Sequence, residues 1–338
     1  MRFLIFLTGI ILATSASANK PVLTVYAPDY FVSEWGPGPS IEEAFEKTCE
    51  CDLKFSAGDL VPRLILEGSS TEADIVIGLN TDVTKKARET GLFAPHQQNN
   101  GSLFLPIKWN DDTFLPFNWS FVSFVYDEAK ISQPPTSFDD LANMKNAKIV
   151  IQDPRSSISG LALVLWVKEI YGDKAKEYWS KLAPNIVTVT KGWSEAYGLF
   201  TSGEAEIVLS FNTSPAYHIS VENDQTKKAA IFEEGHYAYF ELVGKLRQSN
   251  QPELADKFMH FVLSNEFQSL IPFTNWSYPA AQDRSEWPEV FSKLPFPEKA
   301  YFLSEDKANE MRKKAIEEWR AALSVSYTHL RAHETKRN

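Results

Sequence analysis

"DDTFLPFNWSFVSFVYD", Asp111–Asp127, decides how this chain folds. From Thr113 to Tyr126 it is too rich in aromatic and β-branched residues to be a linker, and it reads as a long strand. Before it, strand and helix patterns alternate. "VLTVYAP" (Val22–Pro28) alternates apolar residues as a strand does, and Ser40 with Glu43 makes a capping box for a helix over Ile41–Thr48. "DLKFSA", the short helix "LVPRLILEG" and the almost wholly apolar strand "ADIVIGL" follow, which implies an α/β lobe with a mainly parallel sheet. After Asp127 the alternation resumes with "KIVIQDP", helices over about Ser157–Ile170 and Lys174–Leu182, "IVTVT", the helix of "KGWSEAYGLF" and "EIVLSF". The long strand therefore leaves one α/β lobe and enters another. "EEGHYAYFELVGKL" (Glu233–Leu246) reads as a second crossing, after which "PELADKFMHFVLS" and "NEFQSLI" return as helices. The fold class is α/β, with a discontinuous first lobe over 19–117 and 243–324 and a second lobe over 118–242. Two crossings leave a cleft above a hinge, the layout of a protein that closes on its ligand.

The ends of the chain need separate treatment. "MRFLIFLTGIILATSASANK" has one positive charge, an apolar run from Phe3 to Ala13 and small residues at Ala16–Ala18, the layout of a secretory signal peptide over 1–18. The run is shorter than the ~20 residues that span a bilayer. The mature chain is expected in the periplasm, as a monomer that is not inserted in the membrane. "VSYTHLRAHET" (Val325–Thr335) resembles the translation of a sequencing adapter, so 325–338 is set aside as a non-native tail and His329 and His333 are given no metal role. A formal net charge of −10 argues against nucleic acid as a partner. The two cysteines, Cys49 and Cys51, form a lone C-x-C that is either a local disulfide or two free thiols. No phosphate loop, zinc-protease helix or nucleophile elbow is present. These patterns announce no enzyme, no metal site and no cofactor.

Ligands of open α/β sheets sit beyond the carboxyl ends of the strands. The residues at those places are Asp29 to Trp35, Asp59, Asp153 to Ser159, Lys191 to Trp193, Phe211 to Tyr217 and Asn275 to Tyr278. Trp35, Trp193, Tyr217 and Trp276 bring aromatic faces, which attract organic cations. Asp59 is a binding carboxylate or a helix N-cap, the commonest use of Asp at such a position. "DPRSSISG" opens a long apolar helix whose start suits an anion, with capping by Ser156 or Ser157 as the plainer reading and Asp153 as a turn former. Together these residues suit a flat, cationic, phosphorylated ligand.

The stretches "KPVLTVYAPDYF", "EWGPGP", "ADIVIGL", "TGLFAP", "WNDDTFLPF", "QDPRSS", "VTVTKGWSEAYGLF", "SPAYH", "EGHY", "QPELADKF" and "NWSYP" cover nearly all of the mature chain. In that order they resemble the periplasmic thiamine-binding proteins of bacterial ABC importers. The resemblance implies a two-lobed periplasmic binding protein fold of the second structural class. Thiamine, thiamine monophosphate or thiamine diphosphate would lie in the interlobe cleft, and an ABC transporter permease would be the partner. It carries ligand contacts onto Asp59, Ser157, Trp193, Phe211, Asn212, Thr213, Ser214 and Trp276. This chain departs from the pattern at Pro28, at the shortened "SAGDLVPRL" and at Phe211, where the family often has a tyrosine. Two other functions compete. A thiamine-degrading enzyme on the same fold would need an activated thiolate, and the only cysteines lie away from the expected cleft. A ferric-ion receptor would need hard anionic ligands, which an aromatic cleft matches poorly.

Overall fold

The computed structural model describes residues 20–334, with side chains described to Ser324. The expected signal peptide and the side chains of the expected tail lie outside those residues. β1 (Val22–Ala27), α1 (Asp29–Val32), α2 (Gly38–Cys49), β2 (Asp52–Ala57), α3 (Leu60–Glu67), β3 (Ile75–Asn80) and α4 (Thr84–Glu89) open the first lobe. β1 pairs parallel with both β2 and β3. β3 is buried along its whole length, as its unbroken apolar run requires of an inner strand. α2 begins three residues before the expected start, at Gly38, and its N-cap is Pro37 with no side-chain cap. The Ser40–Glu43 capping box therefore does not start this helix. Pro39 does, because its fixed φ suits the first turn and its missing N–H would be unpaired there anyway.

β4 (Leu115–Asp127) has thirteen residues, all buried. Its first half pairs with β9 (His236–Lys245), and its second half, from Val122, pairs with β7 (Ile207–Phe211) and β8 (Lys227–Ala229). The second lobe holds α5 (Phe138–Asn143), β5 (Ile149–Gln152), α6 (Ile158–Tyr171), α7 (Ala175–Leu182), β6 (Ile186–Thr190), α8 (Trp193–Thr201) and α9 (Pro215–Tyr217), with β5 parallel to β6 and β7. The strand path is β2-β1-β3-β9-β4-β7-β5-β6. β4 and β9 are thus the two crossing strands, antiparallel and adjacent, beneath the cleft of a two-lobed fold.

α10 (Pro252–Val262), α11 (Asn265–Thr274), β10 (Tyr278–Pro279), α12 (Glu289–Ser292), β11 (Ala300–Tyr301) and α13 (Glu305–Glu334) complete the chain. α10 and α11 return to the first lobe, where Phe258, Phe261 and Phe267 pack with Phe45 and Phe117. α13 divides its packing between the lobes. Lys168 of α6 reaches Glu318 at 2.9 Å and Lys307 reaches Glu169 at 2.7 Å, while Arg88 and Lys85 of α4 hold Glu305 and Asp306 at 3.0 and 2.8 Å. Cys49 and Cys51 are joined as a disulfide where α2 turns into β2, at the edge of the first lobe opposite the cleft. No described helix is long and apolar enough to cross a membrane.

Candidate functional site

The loops beyond the carboxyl ends of β1, β2 and β3 face those beyond β5, β6 and β7. Trp35 and Trp193 meet across this gap, one from each lobe, with ring centroids 6.0 Å apart and planes at 47°. Trp35 remains 53 % exposed, which a core residue of this size would not. Its turn is shaped by Gly36, where a Cβ would come within 2.1 Å of the Tyr30 carbonyl oxygen. Trp193 is the first residue of α8, and its Nε1 donates to Ser210 Oγ at 2.8 Å. Tyr197 stacks on Trp193 with ring centroids 4.7 Å apart, and Ala196, Tyr197 and Phe200 form the buried face of that helix.

Trp276 forms a further aromatic wall, edge-on to Tyr217 at 5.3 Å. It sits at φ 52°, a left-handed backbone that bulky residues rarely adopt and that tends to persist where binding demands it. Asp59 occupies the N-cap position of α3, yet its side chain makes no capping hydrogen bond. Its exposed carboxylate is free to accept from a ligand. Ser157 caps α6, accepting from Gly160 N at 3.3 Å, and its hydroxyl pairs with Ser159 Oγ at 2.9 Å. Ser159 donates to Gln152, which holds the Leu209 carbonyl, so the start of α6 is fixed to β5 and β7. Asp153 is a turn former, accepting from Arg155 N at 2.8 Å.

The run after β7 divides. Phe211 is half-buried with its ring 4.9 Å from Tyr239. Asn212 is fully buried and fully engaged: Oδ1 accepts from Phe121 N, and Nδ2 donates to the Tyr278 hydroxyl and the Pro295 carbonyl. Its side chain ties the second lobe to the hinge and has no donor left for a ligand. Thr213 is the reverse, because its buried Oγ1 has no partner among the described residues. Such a group costs about 1–3 kcal/mol unless something pairs with it. Ser214 shares a hydrogen bond with Ser210 Oγ at 2.7 Å and so supports Trp193 from beneath.

Several site residues escape the sequence reading. Behind Trp193, the Tyr197 hydroxyl pairs with His218 Nε2 at 2.9 Å and His218 Nδ1 with Glu222 at 2.6 Å, in a π-helical turn. His218, Glu222 and Asp224 come within 4.8 Å of one another, but both His218 nitrogens are engaged and Asp224 holds Thr226 and Lys227. The group is a hydrogen-bonded brace and not an open ligand set. Glu241 lies at the cleft floor on β9, buried, accepting from Tyr30, from Asn118 Nδ2 at 2.6 Å and from Asn275 Nδ2 at 2.7 Å. Burial pushes its carboxyl up to about 7, opposed by the Asn275 hydrogen bond. The signal for it in the sequence is a lone acidic residue inside the apolar run of a crossing strand.

A family model described as a bacterial extracellular solute-binding protein matches residues 70–311. The thiamine-binding periplasmic protein of Escherichia coli (strain K12) is 44 % identical over 320 residues, covering 93 % of this chain and 97 % of that protein. That of Brucella abortus biovar 1 is 44 % identical over 333 residues, 96 % of this chain and 100 % of the relative. A solved periplasmic thiamin binding protein superposes with a TM-score of 0.87 at 45 % identity, covering 90 % of this chain and 96 % of that one. A ferric binding protein from Campylobacter jejuni superposes at 0.73 but with 18 % identity, a likeness of fold alone.

Proposed function

The chain belongs to the bacterial extracellular solute-binding proteins and, among them, to the family of the thiamine-binding periplasmic proteins, and we propose on that premise that it captures thiamine between its lobes. The loaded protein then hands thiamine to the permease of an ABC importer. The observation that carries this reading is the pair of tryptophans from opposite lobes, Trp35 and Trp193, backed by Trp276 and Tyr217. Aromatic faces hold a flat organic cation by their quadrupoles, each contact contributing ~0.5–2 kcal/mol. In this arrangement Asp59 accepts from the aminopyrimidine. Thr213 and the α6 start, with Ser157, take the hydroxyethyl arm or its phosphate, so the monophosphate and diphosphate are ligands as well.

The protein works as a receptor and not as a catalyst. Both cysteines are tied in the Cys49–Cys51 disulfide and buried away from the cleft, so the thiolate that a thiamine-cleaving reaction would use is missing among the described residues. Calorimetric titration of the protein with thiamine, its monophosphate and its diphosphate tests the proposal. Saturable binding with one site per chain and intact ligand afterwards is expected. Failure of all three to bind overturns it, and recovery of free pyrimidine or thiazole would turn the receptor into an enzyme.

A further inference from the structure

Three neighbouring strands place polar residues side by side at the cleft floor. Asn80 of β3 and Asn118 of β4 are both register partners of Glu241 on β9, so the three share one face of the sheet. Tyr30 of α1 and Asn275 at the end of α11 close over them and donate to the same carboxylate. These two contacts lead into the aromatic walls: Tyr30 lies on α1, which runs into the loop that carries Trp35, and Asn275 precedes Trp276. Glu241 thus anchors both first-lobe walls to the hinge.

The surroundings are rich in acceptors and poor in positive charge. Asn80 Oδ1 and Asn118 Oδ1 are buried with no partner among the described residues. The titratable groups around this cluster are Tyr30 on α1, Tyr239 on β9 itself, and Asp82 beyond β3 with Arg312 of α13 beside it, while Lys245 lies at the far end of β9, opposite Ile75. Asp82 is held by Asn80 Nδ2 and the Tyr237 hydroxyl, and Lys245 is paired with Asp256. Among the described residues no cationic side chain forms an ion pair with Glu241. Burial with no cation beside it draws a carboxylate toward its protonated form, the donors on it favour the ionised form, and an arriving cation tips that balance toward the ionised form.

We propose that Glu241 is the counter-charge for the cationic ring of the captured ligand, and that its proton passes to solvent when the ligand binds. The inference rests on the reading of thiamine, whose thiazolium carries a fixed positive charge, as the ligand. Three donors already aim at the carboxylate, so its ionised form is the one the hydrogen bonds fit. Burial alone favours the protonated form, consistent with a carboxyl lifted to about 7 in the unliganded protein. A cation in the low-dielectric cleft reverses that balance. The chemistry is one proton lost from the carboxyl group and gained by buffer, with no bond to the ligand made or broken.

Calorimetry of thiamine binding at about pH 6, repeated in buffers of different ionisation enthalpy, counts the protons released. Wild-type protein is expected to release most of one proton per thiamine, and its affinity to rise about tenfold between about pH 6 and 8. Glu241→Gln should bind thiamine more weakly than wild type at about pH 8, with neither the release nor the rise. Infrared difference spectra of wild-type protein supply a readout that needs no variant: adding thiamine should replace a protonated-carboxyl band by a carboxylate band. Thiamine binding with no proton released, or with the same release from Glu241→Gln, overturns this inference and leaves the receptor reading intact. No binding of thiamine at all overturns both.

Discussion

At the scale of single residues, Thr213 and Asn212 are neighbours with opposite roles. Thr213→Val removes a buried hydroxyl that no described group satisfies, so stability should hold or rise slightly while thiamine affinity falls, by roughly 5- to 10-fold for one lost hydrogen bond. Asn212→Ala should do the reverse, costing about 2–3 kcal/mol of stability by leaving Phe121 N and the Tyr278 hydroxyl without their partner. Thermal melts with and without thiamine separate the two. Part of the candidate site was legible, because Asp59 and Trp193 directly follow β2 and β6 and Trp35 lies in the connection after β1, a position visible in sequence, whereas Trp276, expected after a strand, follows helix α11 instead. The orientation of Asn212 was not, since four consecutive residues at a strand end cannot all face the same way. Glu241 was hidden for a different reason: its meaning depends on lying between Asn80 and Asn118, a pairing among strands far apart in the chain.

At the scale of elements, alternation of strand and helix patterns was enough to locate both crossing strands and most helices, because each element is buried on a face that its own periodicity records. The start of α2 was misread, as Pro39 at the helix entrance outweighed the downstream Ser40–Glu43 pair. The placement of α13 could not be read, since its partners α4 and α6 belong to different lobes and nothing in a helix's periodicity names its partner. The Cys49–Cys51 disulfide closes a loop of just three residues, so its chain-entropy contribution is small, about 1–2 kcal/mol. Reduction should therefore lower the denaturant midpoint modestly and leave the thiamine dissociation constant unchanged. A large loss of binding on reduction would show that the α2–β2 corner is coupled to the cleft.

At the scale of the whole molecule, buried titratable groups on and around the hinge shape the pH course of stability. The carboxyls of Glu241 and Asp82 are pushed up to about 7 and about 6 by burial, and the His236 imidazole is pushed down to about 4 for the same reason. A raised carboxyl stabilises the fold below its unfolded value, and the contribution is lost as pH rises through the folded one. His236 acts oppositely, stabilising above its unfolded value and ceasing to do so as pH falls toward about 4. Its Nε2 accepts from Phe232 N and its Nδ1 faces the Val122 carbonyl, so the neutral ring protonated on Nδ1 is the form that fits. Glu241→Gln should accordingly be more stable than wild type above about pH 7, by roughly 1–3 kcal/mol, and should lose that advantage below about pH 4.5. Melting curves across this range check the sign. The joined crossing of β4 and β9 carries a final consequence. Their ladder runs from Leu115–Val243 to Phe121–Ala238, and sliding one lobe past the other would shift its register and turn side chains to the wrong face. Bending leaves the ladder intact. An empty receptor can therefore vary its aperture without losing the register of its floor, which brings Trp35 back toward Trp193 when the mouth shuts.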